Sequence, residues 1–317
     1  MMAADEWYIY YGRDGEVIPP GVTRVRIHES LTVIRAEAFY GNRNIEEVAC
    51  HDRVKTVEEY SFAGCPSLRK VIMPGVEVIE QCAFNSCEAL AHIECGKLEI
   101  IGVGAFETCQ SLKSINLPSV KIVERSAFTV CKALTNIKFG KELEIIRYRA
   151  FWLCTSLERI AIPLKDGIIA DDGIFMGCRK LKHVELVEKA VLRDTIAALL
   201  LEEWRNDMNE EINAINQSLP TTPAGSDDFY DVGEKTEAVQ LWIKSVLHKI
   251  VRYKAQHHSL LNEAATTLQR ALPNDIVNKN VLPFLELPSY TFEERIRRGR
   301  RRGIGRRGGG NERLRPS

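Results

Sequence analysis

The sequence predicts a solenoid of stacked coils followed by an α-helical hairpin, and two periodicities support this prediction. In the first part of the chain a phenylalanine recurs every 22 to 24 residues with the same neighbours each time. Such a period indicates stacked coils, because one unit cannot bury its apolar side alone. Beyond residue 188 the apolar residues instead recur every three or four positions, as in amphipathic helices. The recurring residues are Phe39, Phe62, Phe84, Phe106, Phe128, Phe151 and Phe175.

Each coil contains a strand with one buried face, and residues 1–21 before the array are expected to form an N-terminal cap. In the fifth coil, Ile137 and Phe139 alternate with the polar residues Asn136 and Lys138, which is typical of a half-buried strand. Leu134 precedes them and completes an apolar triad. Equivalent triads occur in every coil, and proline or glycine ends the strand in five consecutive coils. Eight such strands, stacked about 4.8 Å apart, predict one parallel ladder about 34 Å long.

The rest of each coil carries a V-x-x-I pair, an Ala-Phe turn and, in six units, a cysteine three residues after the phenylalanine. Val120, Val123, Phe128 and Cys131 show this arrangement in the fifth coil. These residues resemble the leucine-rich repeats of the BspA-like class, whose units read roughly I-x-x-x-A-F-x-x-C-x-x-L-x-x-I-x-L. The resemblance covers residues 22–187 and implies a leucine-rich-repeat solenoid, a parallel β-strand ladder joined by short turns.

The six repeated cysteines are expected to be small buried side chains that fill the turn. Their spacing is unlike the paired C-x2-C of a zinc site, and stacked coils would hold their Cβ vectors parallel, which disfavours disulfides. Cys82 differs because its column holds a mixture of residue types that indicates a solvated position, so it is the best candidate for an exposed thiol. The other members of that column are Glu37, Tyr60, Gly104, Ser126, Arg149 and Gly173.

Composition and motifs favour a chain without catalytic activity, metal or cofactor. The formal net charge is +0, the seven histidines are scattered, and no G-x-S-x-G, P-loop, G-x-G-x-x-G or H-E-x-x-H motif occurs. The first 15 residues do not resemble a secretory signal, and no apolar run reaches 18 residues. Many BspA-like repeats belong to microbial surface proteins and others are intracellular in protists; unpaired cysteines favour the intracellular kind and a cytoplasmic or nuclear location.

Residues 188–272 are expected to form an antiparallel helical hairpin that docks on the last coil or on a second copy of the chain. Its first helix is predicted over 189–219, with a stripe formed by Leu192, Ile196, Leu200, Trp204, Met208, Ile212, Ile215 and Leu219. The second is predicted over 234–272, with a coiled-coil heptad seam formed by Val239, Ile243, Val246, Ile250, Tyr253, His257, Leu260, Ala264, Thr267 and Ala271. His257 is interpreted as a packed core residue.

Two interpretations remain open for the segment after the hairpin, where 273–292 is expected to form a short helix and an extended stretch. Residues 272–285 loosely resemble the start of an F-box, L-P-x-x-I-x-x-x-I-L-x-F-L, which implies a substrate adaptor of a ubiquitin ligase. The alternative is a small helix that packs on the hairpin.

Residues 293–317 hold ten arginines against three glutamates, so this Arg/Gly-rich tail is expected to be disordered and to attract RNA, other polyanions or a nuclear import receptor. A solvated end without a role is the alternative. The candidate polyanion-binding residues are Arg295, Arg297, Arg298, Arg300, Arg301, Arg302, Arg306 and Arg307.

The leading functional hypothesis is a protein-protein interaction scaffold that binds a partner through the repeat sheet and the helical extension. Side chains that alternate with the buried residues of each strand do no packing, so they are free to contact a partner. The candidate partner-binding residues are Lys70, His92, Glu94, Asn116, Asn136, Lys138, Arg159 and His183.

Overall fold

The computed structural model describes residues 6–221 and 233–271, and it contains the predicted solenoid and helices. Within these residues the coils contribute nine longer front strands and six two-residue back strands, and the pairings are parallel throughout. The front strands are β1 Tyr8–Tyr10, β2 Arg24–Ile27, β4 Glu47–Ala49, β6 Lys70–Ile72, β8 His92–Glu94, β10 Ser114–Leu117, β12 Asn136–Phe139, β14 Arg159–Ile162 and β15 His183–Leu186. The back strands are β3 Val33–Ile34, β5 Thr56–Val57, β7 Val78–Ile79, β9 Ile100–Ile101, β11 Ile122–Val123 and β13 Ile145–Ile146.

The front strands form two sheets, so the expectation of one unbroken eight-strand ladder is wrong. One sheet has the order β1-β2-β4-β6-β8 and the other β10-β12-β14-β15. The inward residues beside the break, Ile93 and Ile115, are 9% and 5% exposed, whereas Val71 and Ile160 in the middle of each sheet are fully buried. The back strands pair without interruption from β3 to β13, so the separation is confined to the front.

The seven phenylalanines stack directly on one another along the core. Ring centroids of successive residues lie 4.8 to 5.8 Å apart with interplanar angles of 10° or less. Tyr10 of β1 continues this column, with its ring 4.7 Å from that of Phe39. Because aromatic side chains bury large apolar areas, this column makes a large apolar contact between each coil and the next.

The repeated cysteines are buried thiols, as expected, and each also donates a hydrogen bond to the preceding coil. The Sγ of Cys131 lies 3.1 Å from the carbonyl oxygen of Phe106, and the other five repeat this contact at 3.1 to 3.2 Å. In the first coil Asn42 replaces cysteine, and its Oδ1 accepts from the backbone N–H groups of Asn44 and Ile45. All nine cysteines are free.

The column that includes Cys82 is defined by backbone conformation rather than by solvation. Each of its seven residues has a positive φ, between 51° and 66°. A second column of positive φ, at the residue before each repeated cysteine, contains Val130 and Leu153 among smaller residues. Each coil therefore makes its turn with two left-handed residues, a conformation that glycine adopts freely and branched side chains adopt at a cost.

Three helices follow the solenoid: α1 Lys189–Ala197, α2 Glu202–Ser218 and α3 Gly233–Ala271. The single helix predicted over 189–219 is therefore wrong, because the chain breaks at residues 198–201. There the Arg205 side chain donates to the carbonyl oxygens of Leu199, at 2.6 Å, and Leu200, at 3.4 Å. Leu199 is buried while Leu200, placed on the predicted apolar stripe, is 39% exposed.

The positions predicted for the apolar stripe of α3 are buried as far as His257, and the predicted positions beyond it, up to Thr267, are exposed. Leu260 is 38% exposed, and the buried positions are Leu261 and Ala265. A straight helix has 3.6 residues per turn, so its buried stripe drifts away from a strict heptad repeat.

Within the described residues the chain divides into two compact units, 6–189 with 206–251 and 190–205 with 252–271. In the first unit α2 and α3 are antiparallel: Lys249 pairs with Asp207 and Glu211 at 2.8 and 3.0 Å, and Trp242 donates to the Glu211 carbonyl oxygen.

The two helices also cover the last coil. Lys235 of α3 is buried and donates to the carbonyl oxygens of Cys178 and Arg179, at 2.9 and 3.1 Å. Asn216 of α2 accepts from the backbone N–H of Val184 on the edge strand β15 at 3.0 Å. Asn216 thus pairs a backbone N–H of the edge strand that a further strand would otherwise pair, and Lys235 adds a donor to two carbonyl oxygens of the last turn.

Candidate partner-binding surface

The parallel register aligns the outward side chains of the front strands in two columns on the solvent side. In one column Lys70 is paired with His92, and Asn136 with Arg159; in the other Lys138 is paired with Ala161. Buried residues alternate with half-buried or exposed ones along each strand. All eight candidate residues therefore lie on the solvent side of the front strands, because the strands alternate inward and outward side chains.

The break between β8 and β10 separates the candidates into two groups. Lys70, His92 and Glu94 lie on the five-stranded sheet. The other five lie on the four-stranded sheet and are Asn116, Asn136, Lys138, Arg159 and His183.

The four-stranded sheet presents exposed basic and uncharged polar side chains. Lys113, Lys138 and Lys182 are exposed there, and no ion pair joins any of them to a carboxylate within the described residues. Arg159 contacts Glu185 at 3.3 Å, with both side chains about half exposed. Exposed pairs of this kind contribute roughly 0–1 kcal/mol, so Arg159 remains available to another carboxylate.

The five-stranded sheet has a different surface, and the sequence prediction missed one of its residues. The Trp7 ring lies 5.0 Å from the guanidinium carbon of Arg26 and 6.0 Å from that of Arg24. His92 and Glu94 contact each other at 3.0 Å. Trp7 precedes the first repeat, so the sequence places it in the cap segment, whereas in the structure the adjoining strand β1 pairs with β2 as a further front strand.

Metal sites, membrane-spanning helices and the C-terminal segments are the other features that bear on function. Across residues 6–221 and 233–271 no group of His, Cys, Asp or Glu is arranged to hold a metal ion, and none of the helices is long and apolar enough to cross a membrane. His257 is buried, with its ring 6.1 Å from that of His258. The F-box-like stretch at 272–285, the segment 273–292 and the arginines of 293–317 lie outside the described residues.

A model of the BspA type leucine rich repeat region matches residues 21–129 and 99–195 in six copies. Together these two segments span more than half of the chain. The chain belongs to the BspA-type leucine-rich-repeat family. Comparison with curated proteins finds no match.

Solved structures of other proteins, two of them described as leucine-rich-repeat proteins, resemble this BspA-type chain over about half of its length. A protein from Bacteroides ovatus is 26% identical, with a TM-score of 0.45 over 52% of this chain and 43% of that one. The T. pallidum leucine rich repeat protein is 24% identical, with a TM-score of 0.43 over 56% of this chain and 79% of that one. The pneumococcal vaccine antigen PcpA is 18% identical, with a TM-score of 0.39 over 57% and 54% of the two chains. This chain thus spans less than half the length of the Bacteroides ovatus protein.

Proposed function

We propose that this BspA-type repeat protein is a non-catalytic scaffold that binds a protein partner across the solvent face of its front strands. The observation that carries the proposal is the register of the outward side chains, which form two regular columns of half-buried or exposed residues on the solvent side. A rigid strand ladder fixes such side chains at constant spacing, so binding costs little ordering of the backbone.

The four-stranded sheet is the part of this face that we assign to the partner. Its exposed positive residues, Lys113, Lys138, Arg159 and Lys182, are accompanied by only two exposed acidic residues within these strands and the positions just before them, Glu158 and Glu185. Charge complementarity on this scale steers association and selects partners. A partner that presents acidic side chains fits this surface.

Reversal of charge on this sheet tests the proposal. The double variant Lys138→Glu and Arg159→Glu should lose capture of the partner from native lysate, while its melting temperature stays unchanged because both side chains are exposed. The matched control is Arg53→Glu with Lys97→Glu, two exposed residues outside the strands. Undiminished capture by the first variant would contradict the proposal.

A further inference from the structure

The turn of the sixth coil carries a cluster of two aromatic rings and one guanidinium group. The Arg149 guanidinium carbon lies 4.8 Å from the centroid of the Tyr148 ring and 5.0 Å from that of Trp152. Stacking on aromatic rings fixes the plane of a guanidinium and leaves its edge donors free for a planar acceptor. Trp, Tyr and Arg are also the residue types that dominate binding energy in protein interfaces.

The neighbouring coils carry small residues beside Arg149. Ser126 and Gly173 occupy the equivalent left-handed position in coils five and seven, while Arg149 itself has a φ of 56°. The Tyr148 ring reaches over the next coil, with its Cε2 3.6 Å from where a Cβ on Gly173 would lie. The left-handed backbone is costly for a residue other than glycine, so packing of the coil gives no reason for arginine here.

The donors of the cluster lack acceptors. Arg149 Nε and Trp152 Nε1 are enclosed and have no hydrogen-bond partner among the described residues. Arg147, two positions earlier, instead contacts Glu124 at 3.0 Å. An enclosed donor without an acceptor is unfavourable, and a side-chain adjustment that brings an acceptor to it removes this cost.

The charges around the cluster differ between its two sides. Arg125, which is exposed, occupies the position of Tyr148 one coil earlier, whereas Asp171 on the following coil accepts from the Tyr148 backbone N–H at 2.9 Å. A negatively charged group is therefore favoured on the side of coil five.

We propose that Tyr148, Arg149 and Trp152 form a docking site for an acidic side chain of a protein partner. The carboxylate pairs with the guanidinium edge as two parallel hydrogen bonds, and the two rings bury the apolar part of the same segment. This site lies on the turns and uses none of the front-strand residues, so it is separate from the proposed strand-face contact.

Selection of short random peptides displayed on phage, on the full chain, tests this site. We expect enriched peptides to carry Asp or Glu beside an apolar residue, and their affinity to fall about tenfold or more for Arg149→Gly and for Arg149→Lys. Glycine suits the left-handed backbone, so Arg149→Gly should melt at the same or a higher temperature and loss of binding cannot be ascribed to unfolding.

A matched control separates this site from the strand face. The Lys138→Glu and Arg159→Glu variant should bind the selected peptides with unchanged affinity; loss of binding there would assign the peptides to the sheet and overturn the assignment to Arg149. The absence of any enriched acidic peptide, or equal affinity for Arg149→Gly, would also overturn it.

Discussion

The Thr236 hydroxyl oxygen accepts a hydrogen bond from the backbone N–H of Phe175 at 3.2 Å. In the preceding coil the equivalent N–H, that of Phe151, donates to the carbonyl oxygen of Ile174 in the next coil at 3.0 Å. Thr236 therefore occupies the place of a backbone carbonyl that an eighth coil would supply. The first turn of α3 completes the array, which is how terminal units of a solenoid usually differ from internal ones.

Removal of the ammonium group that completes this end should destabilise the fold. Lys235→Met removes the ammonium donor from the carbonyl oxygens of Cys178 and Arg179, of which only Cys178 keeps a backbone donor among the described residues, the N–H of Leu181. We therefore expect the free energy of unfolding to fall by about 1–3 kcal/mol. Urea denaturation measures this free energy of unfolding. Lys244→Met, an exposed position on the same helix, is the control and should be neutral; an equally small effect at Lys235 would mean that the contact does not hold α3 in place.

Stability should depend on pH through the same lysine. Burial lowers the pKa of Lys235 below its usual value of 10.5, so the unfolded chain binds this proton more tightly than the folded one. The free energy of unfolding of the natural chain, relative to Lys235→Met, should therefore rise as pH increases from the lowered pKa towards 10.5. Urea titrations at neutral and alkaline pH give this difference, and a decrease with pH would contradict the expected direction.

The left-handed turn positions predict a stabilising substitution. Val130 has a φ of 61°, which a β-branched residue adopts at a cost, whereas asparagine tolerates it. We expect Val130→Asn to raise the free energy of unfolding by roughly 0.5–1 kcal/mol and Gly64→Val, at φ 70° in the same column, to lower it by about 1–2 kcal/mol. Thermal denaturation of both variants checks the pair. If the two changes have the same sign, backbone strain does not govern this column.

Thiol labelling should distinguish Cys82 from the other eight cysteines. It is the least buried of the nine, and Cys131 illustrates the rest, since burial raises its pKa to about 12. Burial also raises the pKa of Cys82, so its labelling should be slower than that of a fully exposed thiol. Brief alkylation of the native protein followed by mass spectrometry decides the order. Earlier modification of Cys87, Cys109 or Cys131 would show that the coil register is wrong.

The coils could be predicted from the repeat pattern because each repeated phenylalanine and cysteine makes the same contact in its unit, so the same residue type recurs at the same position in the sequence. Three features had no such signal. Ile93 and Ile115 fit the strand pattern, although their strands do not pair. The break before α2 contains neither glycine nor proline, and the donors of Arg205 stabilise it instead. Strand β1 is not accompanied by the Ala-Phe turn and cysteine of the repeat, so the repeat pattern does not predict it.

The outward columns of the candidate surface followed from strand alternation alone, but the cluster around Arg149 did not. Its column was interpreted as solvated from its mixed composition, whereas positive φ values explain that mixture. A signal was present in the sequence: Tyr148, Arg149 and Trp152 replace mostly small or polar residues at three equivalent turn positions in a single coil.

Site-specific photo-crosslinking tests most directly whether the front strands bind the partner. A photoreactive amino acid replaces Asn136, which is exposed on β12, or in the control Ile122, which is half-buried on the solvent side of back strand β11. We expect one discrete adduct in native lysate from position 136 and none from position 122. An adduct from position 122 alone would contradict it.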